Sequence, residues 1–303
     1  MPTSLTLGSF TPSVLLRVAR GTGALADAGL EVTETPVPSS PGQFSALLDG
    51  SLDAVLTSPD NVLAYRYSPT NPLGRTADAR IVSAVDRGLG LALYAAPDAA
   101  ADPAGLRGRT FGVDVPGSGF AFAMYALAES VGLSRDDYEV VALGSTPKRL
   151  QALVRGECAA TMLNAGNELH AEAAGYRALA SVSRVCAPYL GTVLAVVGES
   201  RLEPTGRLAT ALARTAADIV AGKLDEPTAA EAADALGLPA PLAKRYLVRL
   251  KDQDEGLVPD GVVDPAALRT IVQLRRRYRP ESDGGTDLFA PALAVGSGLL
   301  VAS

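Results

Sequence analysis

The chain is poor in the residues that most often carry chemistry. Its 303 residues include one histidine, two cysteines, three methionines and no tryptophan, and aromatic residues make up 5%. Two cysteines, Cys158 and Cys186, are too few for a disulfide framework. Cys158 falls in an expected buried strand and reads as a small hydrophobe. A lone histidine, His170, with no cysteine pair offers no metal-ligand spacing, so no metal is expected. Neither sign of charge dominates: 27 Lys and Arg face 33 Asp and Glu, a net of −6, which argues against a nucleic-acid partner. The local exception is Arg275-Arg276-Arg277-Tyr278-Arg279, near the end of an expected helix, where basic side chains complement the helix dipole. Long apolar runs are lacking too. Leu288–Val301 is apolar but short and broken by Pro291, Gly296 and Gly298, so no membrane insertion is expected; it should pack against the body or pair as a strand. Met1-Pro2-Thr3 runs almost directly into an apolar strand, with no basic stretch, apolar segment or cleavage site of an export signal. The expected location is therefore cytoplasmic as written, and periplasmic or extracellular if a signal peptide has been removed.

What the chain does have is a 48% hydrophobic composition over a length that can bury a full core and split into two domains. It also has an internal echo. Phe44-Ser45-Ala46-Leu47-Leu48-Asp49-Gly50-Ser51-Leu52-Asp53-Ala54-Val55-Leu56-Thr57-Ser58-Pro59-Asp60-Asn61 is answered by Leu150-Gln151-Ala152-Leu153-Val154-Arg155-Gly156-Glu157-Cys158-Ala159-Ala160-Thr161-Met162-Leu163-Asn164-Ala165-Gly166-Asn167. Each copy reads as a helix end, a stopping glycine, a short apolar strand and a small polar loop opening another helix. In an open α/β sheet, ligands sit in the loops beyond the carboxyl ends of strands. Two such units predict two walls of one cleft.

Strands are expected at Leu5–Gly8, Leu30–Pro36, Ala54–Thr57, Ile81–Asp86, Leu91–Ala95, Thr110–Val113, Tyr138–Ala142, Ala159–Leu163, Leu179–Ser183 and Thr192–Val197. Helices alternate with them, including Ser13–Ala28, Gln43–Leu48, Phe120–Val131 and Lys148–Val154, and Pro38–Gly42 reads as a loop. This alternation favours parallel sheets flanked by helices. From Pro204 onward the pattern is helical: Thr205–Ala221, Thr228–Ala235, Ala240–Leu247 and Pro265–Arg277.

Four segments then carry a resemblance. They are Thr6-Leu7-Gly8-Ser9-Phe10-Thr11-Pro12; Gly50-Ser51-Leu52-Asp53-Ala54; Leu106-Arg107-Gly108-Arg109-Thr110-Phe111-Gly112-Val113 with Pro116-Gly117-Ser118-Gly119; and Ala152–Ala160 followed by Gly175-Tyr176-Arg177-Ala178-Leu179. In their order and spacing, over roughly residues 4 to 280, the chain resembles type II periplasmic binding proteins of the nitrate, sulfonate, taurine and thiamine-pyrimidine group. The resemblance implies an α/β fold of two lobes, each a mainly parallel sheet flanked by helices, joined by two hinge strands, with a helical C-terminal third. Lobe one would hold 1–88 and 190–303, and lobe two 89–189, with the hinge near Val85–Leu91 and Tyr189–Val193. Such lobes close on a ligand by a hinge motion. It also implies an ABC permease as partner if an export signal has been removed. The chain departs from the family at Cys158-Ala159, where an acidic residue followed by Ala is usual. The pyridoxal-phosphate lysine and the histidine of the pyrimidine synthases have no counterpart in Thr57–Ala64, so no cofactor is expected.

Pro116-Gly117-Ser118-Gly119, just before a helix, is the leading site candidate. Glycine lets backbone amides approach a ligand, and unpaired N–H groups at a helix start favour an anion. Ser118 can also simply cap that helix. Ser9, Phe10 and Thr11 after the first strand, Ser39 and Ser40 after the second, Thr57, Ser58 and Asn61 after the third, and Asn164 and Asn167 after the echoing strand offer uncharged hydrogen-bonding groups. Arg87 at the hinge can pair an anion, and Phe10, Phe120 and Tyr189 can form an apolar wall. His170 and Glu168 are the catalytic candidates, with a solvated or core-edge His as the plainer reading. Two functions follow. One is capture of a small polar or anionic organic molecule between the lobes. The alternative is a cytoplasmic, cofactor-independent lyase, isomerase or cyclase on the same scaffold.

Overall fold

A computed structural model describes residues 1–301. The first two-thirds of the chain runs β1 (Thr3–Ser9), α1 (Val14–Gly21), α2 (Ala24–Asp27), β2 (Leu30–Pro36), α3 (Ser40–Leu48), β3 (Ala54–Thr57), α4 (Pro59–Tyr67), β4 (Ala79–Asp86), β5 (Ala92–Ala95), α5 (Pro97–Ala101), β6 (Thr110–Val113), α6 (Gly119–Ser130), β7 (Glu139–Ala142), α7 (Thr146–Val154), β8 (Ala160–Leu163), α8 (Asn167–Ala173), β9 (Arg177–Ser181), α9 (Val182–Val185) and β10 (Thr192–Val197). The last third is helical: α10 (Leu202–Val220), α11 (Asp225–Leu236), α12 (Ala240–Lys251) and α13 (Pro265–Tyr278), followed by a small hairpin, β11 (Ser282–Asp283) and β12 (Thr286–Asp287).

The strands form two five-stranded sheets, ordered β2-β1-β3-β10-β4 and β7-β6-β8-β5-β9. In the first, β1 runs parallel to β2 (Leu5 opposite Val32) and to β3 (Leu7 opposite Ala54), while β10 is antiparallel to both β3 and β4. The second repeats this plan: β6 is parallel to β7 and β8, and the reversed strand is β5, antiparallel to β8 and β9. The echo thus has a topological cause, because β3 and β8 are the middle strands of like sheets.

Each sheet buries both faces, as near-continuous apolar strands require. One face of the first sheet packs Leu7 and Leu194 against Leu16 of α1, Leu208 and Leu212 of α10, and Tyr246 and Leu250 of α12. The opposite face shares a core with the second sheet, running from Phe44, Val55 and Leu63 through Phe111 and Phe122 to Ile271 and Val272 of α13. α13 packs on both α4 and α6. Each such buried Leu or Phe contributes about 1.5–3 kcal/mol relative to exposure.

Two local expectations are corrected. The helix expected over Ser13–Ala28 is broken, because Gly23 adopts a left-handed φ of 82° and starts α2 separately. The expected loop Pro38–Gly42 is helical from Ser40: the Ser39 hydroxyl accepts from the Gly42 N–H at 3.3 Å, and Pro41 suits the first turn. The apolar tail packs as expected, with Phe289 and Leu299 wholly buried. Ile81 N donates to Leu299 O at 2.8 Å and Val301 N to Ile81 O at 2.9 Å, covering the free edge of β4. No described helix is long and apolar enough to cross a membrane.

The chain passes between the sheets over 87–91 and again over 186–191. The crossings touch, since Gly191 N donates to Asp86 O at 2.9 Å. A Cβ on Gly191 would lie 2.4 Å from the Gly88 nitrogen, so only glycine lets the two backbones pass.

Candidate ligand-binding site

The carboxyl ends of β1, β3, β6 and β8 converge on one cavity of about 110 Å³. A dry cavity of roughly 150 Å³ accepts a benzene-sized guest, so the volume suits a small molecule. Its apolar wall includes Phe10, Leu15, Leu56, Leu89, Phe120 and Leu250.

Ten of the residues expected from sequence line this cavity: Ser9, Phe10, Thr11, Thr57, Ser58, Asn61, Ser118, Gly119, Phe120 and Asn164. Most of their polar atoms are held by protein. The Ser9 hydroxyl donates to Glu34 Oε1 at 2.6 Å, Asn61 Nδ2 to Thr57 Oγ1 at 3.0 Å, and Asn164 Nδ2 to Gly88 O at 3.1 Å. Ser118 caps α6 by accepting from Ala121 N–H. The buried Ser58 hydroxyl has no hydrogen-bond partner among the described residues.

Six others lie outside the cavity wall. Ser39 caps α3, and Ser40 donates from its hydroxyl to Asp114 Oδ2 at 2.7 Å. Asn167 Nδ2 is spent on Asn164 O at 3.0 Å and reaches Thr11 Oγ1 at 3.4 Å. Gly117 lies under Arg279, whose Nη1 would be 2.3 Å from an added Cβ, and its carbonyl accepts from Arg275 at 3.3 Å. Gly119, although in the wall, packs on Asp60, 2.4 Å from where its Cβ would be. The glycines of this loop allow close packing of the second sheet's loop on α4 and on Arg279 after α13. Arg87 and Tyr189 line a separate groove of about 300 Å³ beside the two crossings, and Arg87 donates to Leu257 O at 2.6 Å. Arg87 lies just past the end of β4, in the crossing, where its side chain turns toward the C-terminal segment.

The catalytic candidates are also elsewhere. His170 Nε2 meets Leu236 O at 2.8 Å. The wholly buried Glu168 accepts from Gly166 N–H at 2.8 Å and pairs with Arg249 at 2.7 Å. Both side chains join α8 to the C-terminal helices. Burial pushes the Glu168 carboxyl up to about 7 against the attraction of Arg249. The basic run near the end of α13 is likewise more than a dipole complement. Arg275, 1% exposed, grips Asp60 bidentately at 2.6 and 2.8 Å, and its guanidinium lies near the rings of Phe122 and Phe289.

The cavity adds residues that the sequence reading passed over. Arg149, 2% exposed, donates to Gly144 O at 2.6 Å, Thr146 Oγ1 at 2.9 Å and Met162 O at 3.3 Å, and no carboxylate pairs with it among the described residues. Burial lowers its pKa to about 10, which leaves it a cation at neutral pH. Asp114 lines the wall, with Oδ1 buried and without a hydrogen-bond partner among the described residues. Asp86 accepts from Gly88 N–H at 2.8 Å, and burial pushes its carboxyl up to about 6. Both new charges had a readable signal. Arg149 stands three and four residues before the buried Ala152 and Leu153, on the helix stripe that should be apolar. Asp114 is the first residue after β6, the position held by Ser58 after β3 and Asn164 after β8.

Among the described residues no group of three His, Cys, Asp or Glu is placed to hold a metal. Cys158 and Cys186 are free and buried, and burial pushes both thiols up to about 11.

No protein-family model matches the sequence, and no curated protein sequence matches it. Solved structures do. The alkanesulfonate-binding protein SsuA from Xanthomonas axonopodis pv. citri, bound to MOPS, superposes with a TM-score of 0.69 at 18% identity, over 92% of this chain and 94% of that one. The periplasmic nitrate-binding protein NrtA from Synechocystis PCC 6803 gives 0.71 at 12% identity, over 93% and 83%. The Candida albicans CA3427 gene product, described as having the generic periplasmic binding protein structural fold, gives 0.72 at 14% identity, over 99% and 96%. At these identities the likeness establishes the fold: the chain has the two-lobed type II periplasmic-binding-protein fold.

Proposed function

We propose that this protein captures a small polar organic molecule bearing an anionic group, in the cavity between its sheets, and closes on it by a hinge motion. Lobe one is taken as 1–88 with 190–303 and lobe two as 89–189, with the hinge at the touching crossings. The observation that carries the reading is Arg149, a buried cation in the cavity wall that makes no salt bridge among the described residues. An ion in that setting is costly unless a counter-charge arrives, and a ligand anion supplies one. The remaining guanidinium bonds go to carbonyls and Thr146, which hold it in place without neutralising it. The names of the fold neighbours, alkanesulfonate-binding and nitrate-binding, agree with an anionic ligand. An ABC permease is the corresponding partner if the chain is exported.

The alternative, a cofactor-independent lyase, isomerase or cyclase, gains no support from its named residues, since His170 and Glu168 are engaged with α11 and α12. The test is native mass spectrometry of the full chain with a pool of small organic acids, followed by small-angle scattering. Capture is expected to retain one acid unchanged and to shrink the radius of gyration. A pool member returned with altered mass would overturn the reading in favour of turnover. Arg149→Gln is expected to weaken retention at least tenfold.

A further inference from the structure

The first crossing between the sheets has an unusual backbone. Gly88, Leu89 and Gly90 take positive φ in succession, 126°, 48° and 79°. Leu89 and Ala165, the latter at 54°, are the only non-glycine residues of positive φ among the described residues. The two are bonded to each other: Ala165 N donates to Leu89 O at 3.0 Å. Leu89 N in turn donates to Glu255 O at 2.8 Å, so one residue ties the segment after α12 to the loop after β8. Both Leu89 and Ala165 line the cavity.

Left-handed backbone costs a residue with a Cβ a factor of roughly 5–30 in population. It persists only where the surroundings over-determine it. One clamp does so at both positions. Glu168 Oε2 accepts at 2.8 Å from the N–H of Gly166, the residue after Ala165. Glu168 Oε1 pairs with Arg249 at 2.7 Å. Arg249 packs on Gly90, the residue after Leu89, where its Nη1 would lie 2.1 Å from an added Cβ. Arg249 Nε also reaches Glu255 Oε1 at 3.2 Å, on the residue whose carbonyl holds Leu89. Glycine at 89 or 165 would carry no such cost; leucine and alanine give the cavity a wall instead.

We infer that Leu89 and Ala165 form a strained catch on the hinge, set by the Glu168–Arg249 clamp and by contact of a captured molecule with the two side chains. The inference rests on the hinge closure proposed above and names the residues that govern it. When the lobes part, the Ala165–Leu89 bond breaks and both residues relax to negative φ. The strain therefore opposes closure of the empty protein, and packing of a captured molecule on Leu89 and Ala165 offsets it. Glu168 and Arg249 are positioning residues, since neither lines the cavity.

The experiment is amide hydrogen exchange, resolved by NMR, with small-angle scattering, on the unliganded full chain and four variants. Ala165→Gly is expected to slow exchange of the Leu89 amide about fivefold or more. Leu89→Gly is expected to slow that of the Ala165 amide likewise, and both variants to shrink the radius of gyration. Arg249→Gln is expected to speed both amides together and to enlarge the radius. Gly50→Ala is the control, because Gly50 has φ 80° and open space where a Cβ would stand, so the variant adds the same strain away from the hinge. It is expected to lower the urea midpoint while leaving both amides and the radius as in the wild type. Unchanged exchange at Leu89 in Ala165→Gly and at Ala165 in Leu89→Gly would overturn the catch. So would slowed exchange with an unchanged radius, which would mark strain without a hold on the hinge, or a Gly50→Ala variant that moves the same amides as far. None of these results bears on capture itself, which retention of an acid in mass spectrometry tests separately.

Discussion

The two echoing segments begin alike and end differently. Each runs from a helix through a stopping glycine into the middle strand of a five-stranded sheet, β3 in one and β8 in the other. After β3, Ser58 leads straight into α4 with Pro59 in its first turn, and Thr57, Ser58 and Asn61 all face the cavity. After β8, Ala165 and Gly166 both take left-handed backbone, with φ of 54° and 92°, before α8 begins. That turn withdraws Asn167, the counterpart of Asn61, so that it bonds Asn164 and Thr11. A wholly buried carboxylate also meets an arginine of the C-terminal helices at each: Asp60, within the first segment, meets Arg275 of α13, and Glu168, one residue past the second, meets Arg249 of α12. One pair is bidentate and sealed. The other is single and shared with Glu255, and its arginine is 18% exposed. Like patterns thus supply a cavity-facing loop on one side and a latch between α8 and α12 on the other.

The comparison is broken most forcefully at Arg275. Arg275→Ala strands the buried Asp60 carboxylate and is expected to cost about 3–5 kcal/mol, read from urea unfolding. An Asp60→Asn/Arg275→Met double variant is expected to recover most of that loss, because it buries no unpaired charge. Arg249→Ala should be milder in stability, since its pair is the less enclosed, but should widen the unliganded population seen by scattering.

A pH titration separates the latch from the cleft. Glu168 and Asp86 lie above their unfolded values in the folded protein, at about 7 and about 6, so the folded state binds their protons more tightly. Stability contributed by each is greatest while it is protonated. It declines as pH rises from the ordinary carboxyl range through about 6 for Asp86 and about 7 for Glu168, then levels off. In paired urea titrations, Glu168→Gln is expected to gain on the wild type up to about pH 7 and Asp86→Asn up to about pH 6. A difference that grows with pH in the wild type's favour would contradict the assignment.

Smaller effects test the loops themselves. Asn61→Ala is expected to weaken binding of a captured acid about tenfold, close to 1.4 kcal/mol, whereas Asn167→Ala should change it by a few-fold at most. Arg87→Ala should leave binding unaltered, because Arg87 bonds Leu257 and faces the other groove. Equal losses at Asn61 and Asn167 would erase the distinction between the two loops.

Much of this was legible in the residues. The apolar strands, the stopping glycines and the Pro-led helix starts set the order of elements to within a few positions, because local propensity and burial agree along them. The uncharged loop ends Ser9, Thr57, Asn61 and Asn164 were legible for the same reason: strand ends in a parallel sheet share one edge. Arg87 and Tyr189 line a different groove, a placement that depends on which way each side chain leaves the crossing segments. The echo predicted the same fate for Asn61 and Asn167, and the left-handed turn at Ala165-Gly166 undid it.

By itself, then, the sequence determined the periodicities, the two like βαβ halves and the scarcity of nucleophiles and metal ligands, since these rest on residue type and near neighbours. Tertiary structure alone decided where the buried charges go. Asp60 meets Arg275 across 215 positions and Glu168 meets Arg249 across 81. Arg149 is held by carbonyls and Thr146 with Asp114 acting on it only at a distance, because no carboxylate among the described residues is brought into salt-bridge contact with it. Desolvation makes such pairings decisive, and it exists only once the chain has closed around them.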